Sequence, residues 1–225
     1  MSQVLSLQDQ RPIHYGHKRL IFQHPHDAGL LIKVMRPEVV VQRATHLKNR
    51  IRRHRHLLFY GREVHEFISQ CARWGAPPRC MQPIEGFVQT DFGLGMVARK
   101  LCDRDGNLAP QLLDLVRRDR CVTGEIRARL DAFVAELLAH DVIVAKLTSR
   151  NLLLTWDAEI NDHRFVMVDS FGERATVPIH QWSRLLNRMH TRSCFRRLIK
   201  SIESDAVAAR PAANVPPPDA VPHRG

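Results

Sequence analysis

Short apolar runs open the chain. "RLIFQ" (19–23) and "GLLIKVM" (29–35) flank the turn-rich "HPHDAG", the pattern of a β-hairpin. From 42 to 73 the residues favour helix, with Leu57, Leu58, Val64, Phe67, Ile68 and Cys71 on a rough helical period. Pro77, Pro78 and Pro83 end that pattern, and "IEGFVQTDFGLGMVARKL" (84–101) predicts two strands around "TDFGLG". From Pro110 to Ala139 the pattern is helical again. Within "IRARLDAFVAELLAH" (126–140), Ile126, Leu130, Phe133, Val134, Leu137 and Leu138 share one face. A second hairpin follows, with Asn151 leading into one strand and Asp169 ending the other. A basic amphipathic helix is expected from about Ile179 to Ile202. The Pro/Ala-rich stretch 205–225 is expected to be disordered.

This order predicts an α+β chain of two lobes. Residues 1–99 form a β-rich N-lobe with one long helix, and 100–204 form a short helical C-lobe around the second hairpin. The connection falls near Lys100 to Asn107, and a ligand is expected between the lobes. A formal charge of +11 favours anionic partners: nucleotides, nucleic acid or an anionic membrane surface. It is equally compatible with an arginine-rich solvated surface. Nucleic acid is disfavoured, because the run "IRRHRH" (51–56) stands outside any recognisable nucleic-acid motif. The five cysteines are odd in number and none are spaced C-x-x-C. They suggest neither a zinc ribbon nor a disulfide framework. With no apolar stretch near 18 residues, no membrane span is expected, and the expected compartment is the cytoplasm.

Four polar residues sit where apolar elements meet. Lys33 interrupts "LLIKVM", where a lysine is costly unless it is paired, reaches a ligand or snorkels at an edge. Glu63, in "GREVHEF", is placed to pair with it across a helix–sheet contact. Asn151 and Asp169 present an amide and a carboxylate from the two sides of one hairpin, a hard-oxygen pair suited to Mg²⁺. Each residue alone also reads as an ordinary surface charge or turn cap. The order of strand lysine, helix glutamate, amide and carboxylate is that of protein kinases.

At these residues the chain resembles the PhoP regulatory network protein YrbL family, of the protein-kinase-like superfamily. The resemblance rests on "HPHDAGLLIKV", "GREVHEF", "VQTDFGLGMV", "HDVIVAKLTSRNLLL" and "VMVDSFGERATVPIHQWSR", in that order over about residues 12–200. It implies a two-lobed kinase-like fold that takes ATP and Mg²⁺. Lys33 would then grip phosphate, and Glu63 (or Glu66) would orient it. Asn151 and Asp169 would hold the metal, and Gly16 would be the remnant of a Gly-rich loop. Two departures stand out. The motif ending the hairpin is D-S-F-G, one residue longer than D-F-G. In the loop before Asn151, Lys146 stands where kinases carry the catalytic aspartate. Three functions follow. The first is slow or atypical phosphoryl transfer to a non-peptide small molecule. The second is a catalytically inactive pseudokinase that binds a protein partner. The disfavoured third is nucleic-acid binding.

Overall fold

The computed structural model describes residues 4–39, 58–173 and 179–209. Five antiparallel strands form the first sheet: β1 (His14–Tyr15), β2 (Arg19–His24), β3 (Asp27–Met35), β4 (Ile84–Thr90) and β5 (Gly93–Arg99). Their order across the sheet is β1-β2-β3-β5-β4. Between β3 and β4 in the chain comes helix α1 (Leu58–Trp74). Alternation along β3 sends Ile32 and Val34 to one face, where they pack with Leu7 and Phe22. Met35 goes to the other face, against Tyr60 and Met96. Lys33 shares the parity of Met35 and so falls on the face that α1 covers.

The second part holds α2 (Leu112–Asp119), α3 (Gly124–Ala139), the hairpin β6 (Leu152–Asp157) and β7 (Asp162–Met167), α4 (Ile179–Trp182) and α5 (Arg184–Ala208). Its core gathers Leu112 and Val116 from α2, Leu130 and Leu137 from α3, Leu152 and Met167 from the hairpin, and Leu198 and Ile202 from α5. The chain is thus a two-lobed α+β fold, a β-rich N-lobe on a helical C-lobe, in the protein-kinase order. The lobes are laced together by backbone. Met167 donates to Cys80 O at 2.8 Å, and Gln82 donates to Met167 O at 3.0 Å. The segment before β4 therefore runs beside β7.

Several boundaries differ from the sequence expectation. The single helical stretch 110–139 is two helices. Arg120 adopts a left-handed backbone (φ 55°) that ends α2, and the Thr123 hydroxyl accepts from Ile126 N to start α3. Likewise, Ser183 breaks the last helix by capping Leu186 N. Helix α5 then continues to Ala208, with Ala206 buried, so the tail begins beyond residue 205. The early part of the predicted long helix (42–57), with its basic run, lies outside the described residues, as does 210–225.

Helix α1 departs further. Its expected apolar face included Ile68, which is 59% exposed, while Tyr60, Glu63, Glu66 and Gln70 are buried. A polar face is buried because partners in both lobes wait for it, as described below. Among the described residues, no helix is long and apolar enough to cross a membrane.

One joint in this frame rests on a histidine. His190 of α5 bonds through Nε2 to Val144 O at 3.1 Å. Its ring lies 4.5 Å from that of His180, which in turn is held by Glu173. Burial, seconded by the neighbouring His180 and Arg197, lowers the His190 pKa from its ordinary 6.5, against the pull of Glu173 and Val144 O. The unfolded chain therefore takes the proton first. This stabilisation is present above about pH 6.5 and is lost as pH falls through the lowered pKa. Thermal midpoints should drop from neutral pH to about pH 5 in the wild type, and drop less in His190→Gln, which can still donate to Val144. Parallel profiles for the two proteins would assign the acid sensitivity elsewhere.

Candidate functional site at the lobe junction

Lys33 lies on β3 opposite Ile21 and Met96, and is buried. Its ammonium contacts Gln82 Oε1 at 2.6 Å, Val168 O at 2.7 Å and Glu63 Oε1 at 3.6 Å. Two of its donors are thus used in hydrogen bonds, and Glu63 balances its charge as an ion pair. Burial lowers the pKa of Lys33, with Glu63 pulling the other way.

Glu63 also holds a second cation. Arg19 on β2 reaches Glu63 Oε2 with Nη1 at 2.7 Å, and stacks over the Tyr60 ring at 4.9 Å. Its Nη2 lies 4.0 Å from Asp169 Oδ1. Burial works against the charge on Arg19, but Glu63 and Asp169 outweigh it and the pKa rises. Tyr60 donates to Lys33 O at 2.8 Å, and burial pushes its pKa up to about 12. Glu66, the alternative partner for Lys33, is engaged elsewhere. Its Oε1 accepts from Ile143 N at 3.0 Å and Gln70 Nε2 at 2.8 Å. Burial raises its pKa, against those two bonds.

The inserted residue of D-S-F-G has a structural task. Ser170 takes a left-handed backbone (φ 73°), a conformation that costs about 1 kcal/mol or more for a non-glycine residue. Three hydrogen bonds offset it. Ser170 N donates to Asp169 Oδ1 at 2.6 Å, its Oγ accepts from Asn151 Nδ2 at 3.0 Å, and its carbonyl accepts from Ala145 N at 2.8 Å. The inserted serine thus joins the hairpin's two sides to the loop that carries Lys146. Because Asn151 uses its NH₂ group on Ser170, its carbonyl oxygen remains for another partner. The Asp169 side chain is 46% exposed. Both are therefore available as hard-oxygen ligands.

Gly172 closes the motif against the N-lobe. A Cβ there would meet Arg62 O at 2.6 Å, and its φ is +81°. Only glycine lets α1 approach so closely, one residue before Glu63.

The remaining candidates fall differently. Lys146 is exposed. Gly16 donates its N–H to Arg19 O at 2.9 Å, and a Cβ there would sit 3.0 Å from that oxygen. Its amide closes the β1–β2 turn. Gln82 was not expected at the site. It lies between proline-bounded segments with no period to mark it, and its other amide end holds Arg99 O at 2.7 Å. Among the described residues, no group of three or more His, Cys, Asp or Glu could hold a metal by itself. Asn151 and Asp169 would need ligand oxygens to complete one.

The comparisons agree with the resemblance seen in the sequence. The family model described as PhoP regulatory network protein YrbL matches residues 5–203. "Uncharacterized protein YrbL" of Escherichia coli (strain K12) is 26% identical over 184 residues, 80% of each chain. Its Shigella flexneri counterpart matches to the same extent. Among solved structures, a double mutant of the Mycobacterium tuberculosis PknI kinase domain aligns with a TM-score of 0.44 and 20% identity. It covers 71% of this chain and 56% of that one. The unmutated PknI kinase domain gives 0.43 and 19% over 71% and 57%. The chain therefore spans little more than half the length of those kinase domains.

Removing Glu63 tests the charge arrangement. Glu63→Gln leaves Lys33 and Arg19 buried together without their shared carboxylate, and should destabilise by about 3–5 kcal/mol in urea unfolding. Lys33→Met should cost less, since Arg19 still neutralises Glu63. A Glu63→Gln cost below about 1 kcal/mol would show that the pairing is not what keeps the two cations buried.

Proposed function

The chain belongs to the PhoP regulatory network protein YrbL family, and on that premise we propose that it binds ATP with Mg²⁺ at the lobe junction and transfers a phosphoryl group slowly to a small, non-peptide acceptor. The observation that carries this reading is the assembled ion pair of Lys33 and Glu63, 3.6 Å apart, directly above a hairpin base presenting Asn151 and Asp169. When bound, Mg²⁺ would neutralise charge on the transferring phosphate. Asn151 and Asp169 would hold it, with phosphate and water oxygens completing its shell. Arg19 offers five donors, of which one is committed to Glu63 within hydrogen-bond distance. It is the natural replacement for the backbone amides that Gly16 cannot supply.

Lys146 acts in this reading as a cation. A lysine beside phosphate has its charged form favoured, which disqualifies it as a base. Loss of general-base help costs about 10²–10⁴ in rate. Phosphoryl transfer tolerates that loss better than most reactions, because its loose transition state depends on positioning and charge. A small acceptor is favoured because residues 170–225 contain no A-P-E segment.

One observation favours a second reading, a pseudokinase that binds a protein partner. The Lys33 ammonium already donates to two protein oxygens and pairs with Glu63, so phosphate must compete with Gln82, Val168 and Glu63 for it. A site permanently locked in this way would serve as scaffold only.

Calorimetric titration with ATP, with and without Mg²⁺, separates the two. Binding should need Mg²⁺, and Asp169→Ala should remove most of it with the fold intact. Asn151→Ala should weaken it less, because a neutral amide offers the cation less charge. Gln82→Ala, which releases one acceptor from Lys33, should strengthen nucleotide binding. Wild-type protein that takes no nucleotide under any metal condition would remove the enzyme reading and leave the binding module.

A further inference from the structure

A cavity of about 420 Å³ lies between the loop after Val144 and helix α5. The loop contributes Lys146 and Thr148, and α5 contributes Arg197 and Ser201. Leu147 and Leu198, both buried, form its apolar floor. The volume falls in the range of small-molecule sites, and is too small for a folded partner.

Its charge is one-sided. Among the described residues, none that lines the cavity is acidic. Among the described residues, neither Lys146 nor Arg197 has a carboxylate within ion-pair distance, whereas Arg184 and Arg188 of the same helix both pair with Asp141. The hydrogen bond Arg197 makes is to Cys194 Sγ, at 3.1 Å, a weak acceptor that leaves most of the guanidinium fork unused. Two unpaired cations from distant parts of the chain thus converge on one concavity beside two hydroxyls.

We infer that this cavity binds a small molecule through an oxyanion group, a phosphate or a carboxylate, held by Lys146 and Arg197 with Thr148 and Ser201 donating. Lys146 occupies the loop position from which a kinase addresses its acceptor, so the bound molecule would be the phosphoryl acceptor. That catalytic role rests on the nucleotide reading above, but the anion binding does not.

The test is titration of the full chain with inorganic phosphate and, separately, with acetate, at constant ionic strength and without nucleotide. Amide NMR shifts of residues 145–149 and 194–201 are the readout. Saturable shifts confined to these segments are expected with at least one probe. Lys146→Gln and Arg197→Gln should each weaken binding about tenfold. Arg192→Gln removes the same charge from an exposed position on α5 outside the cavity lining, and should leave binding unchanged. Saturation by phosphate alone assigns a phosphate ester, and by acetate alone a carboxylate. The absence of saturable shifts with both probes, or an equal loss in Arg192→Gln, would overturn the site. Asp169→Ala should retain anion binding, so failure of the nucleotide site and failure of this one are told apart.

Discussion

Two cations are buried around one carboxylate at the lobe junction, and Glu63 is what makes that arrangement tolerable. Its two oxygens divide between Lys33 and Arg19. Without a carboxylate there, the mutual repulsion and desolvation of a lysine and an arginine would expel one strand end or the helix. The position of α1 follows from this requirement. The helix must present Glu63 to the sheet face that carries Lys33, so its buried side holds Tyr60, Glu63, Glu66 and Gln70, and not its most apolar residues. Glu66 then reaches across to Ile143 N, and Gly172 packs under Arg62. Helix α1 is fixed at once to the sheet, to the loop before Lys146 and to the D-S-F-G turn.

The consequence is a site in which the N-lobe and C-lobe halves are mechanically coupled. Val168 O accepts from Lys33, and the next residue, Asp169, faces Arg19. A ligand that draws Asp169 or Lys33 toward itself must therefore shift contacts made by Glu63 and, through α1, by Glu66. This coupling separates two possible uses of the same fold. If ligand oxygens replace Gln82 and Val168 at Lys33, the closed arrangement is one state of an enzyme. If they do not, it is a rigid platform.

The departures from the kinase pattern compensate one another locally. Gly16 closes a tight turn and gives up its amide, while Arg19 brings a guanidinium into the space above Asp169. Ser170 lengthens the D-F-G turn and uses the extra residue to tie Asn151, Asp169 and Ala145 together. Lys146 stands at the loop position where a kinase carries a carboxylate, and it lines the same cavity as Arg197.

Much of this was legible in the chain. The apolar run "GLLIKVM" placed Lys33 on a strand, the 126–140 periodicity placed α3, and the order of Lys33, Glu63, Asn151 and Asp169 pointed to the junction. Such signals are local, because strand parity and helical period depend only on near neighbours. The sequence could not say that Glu63 and not Glu66 faces Lys33, since both lie within one turn and the choice depends on how α1 rolls against two lobes. Nor could it find Gln82, whose role exists only because β7 and the segment before β4 run side by side. The bonding of Lys33 to Gln82 and Val168 and the meeting of Lys146 with Arg197 were likewise decided by tertiary structure. Burial satisfies polar groups with whatever the fold brings near, and for these residues the partners lie tens of residues away.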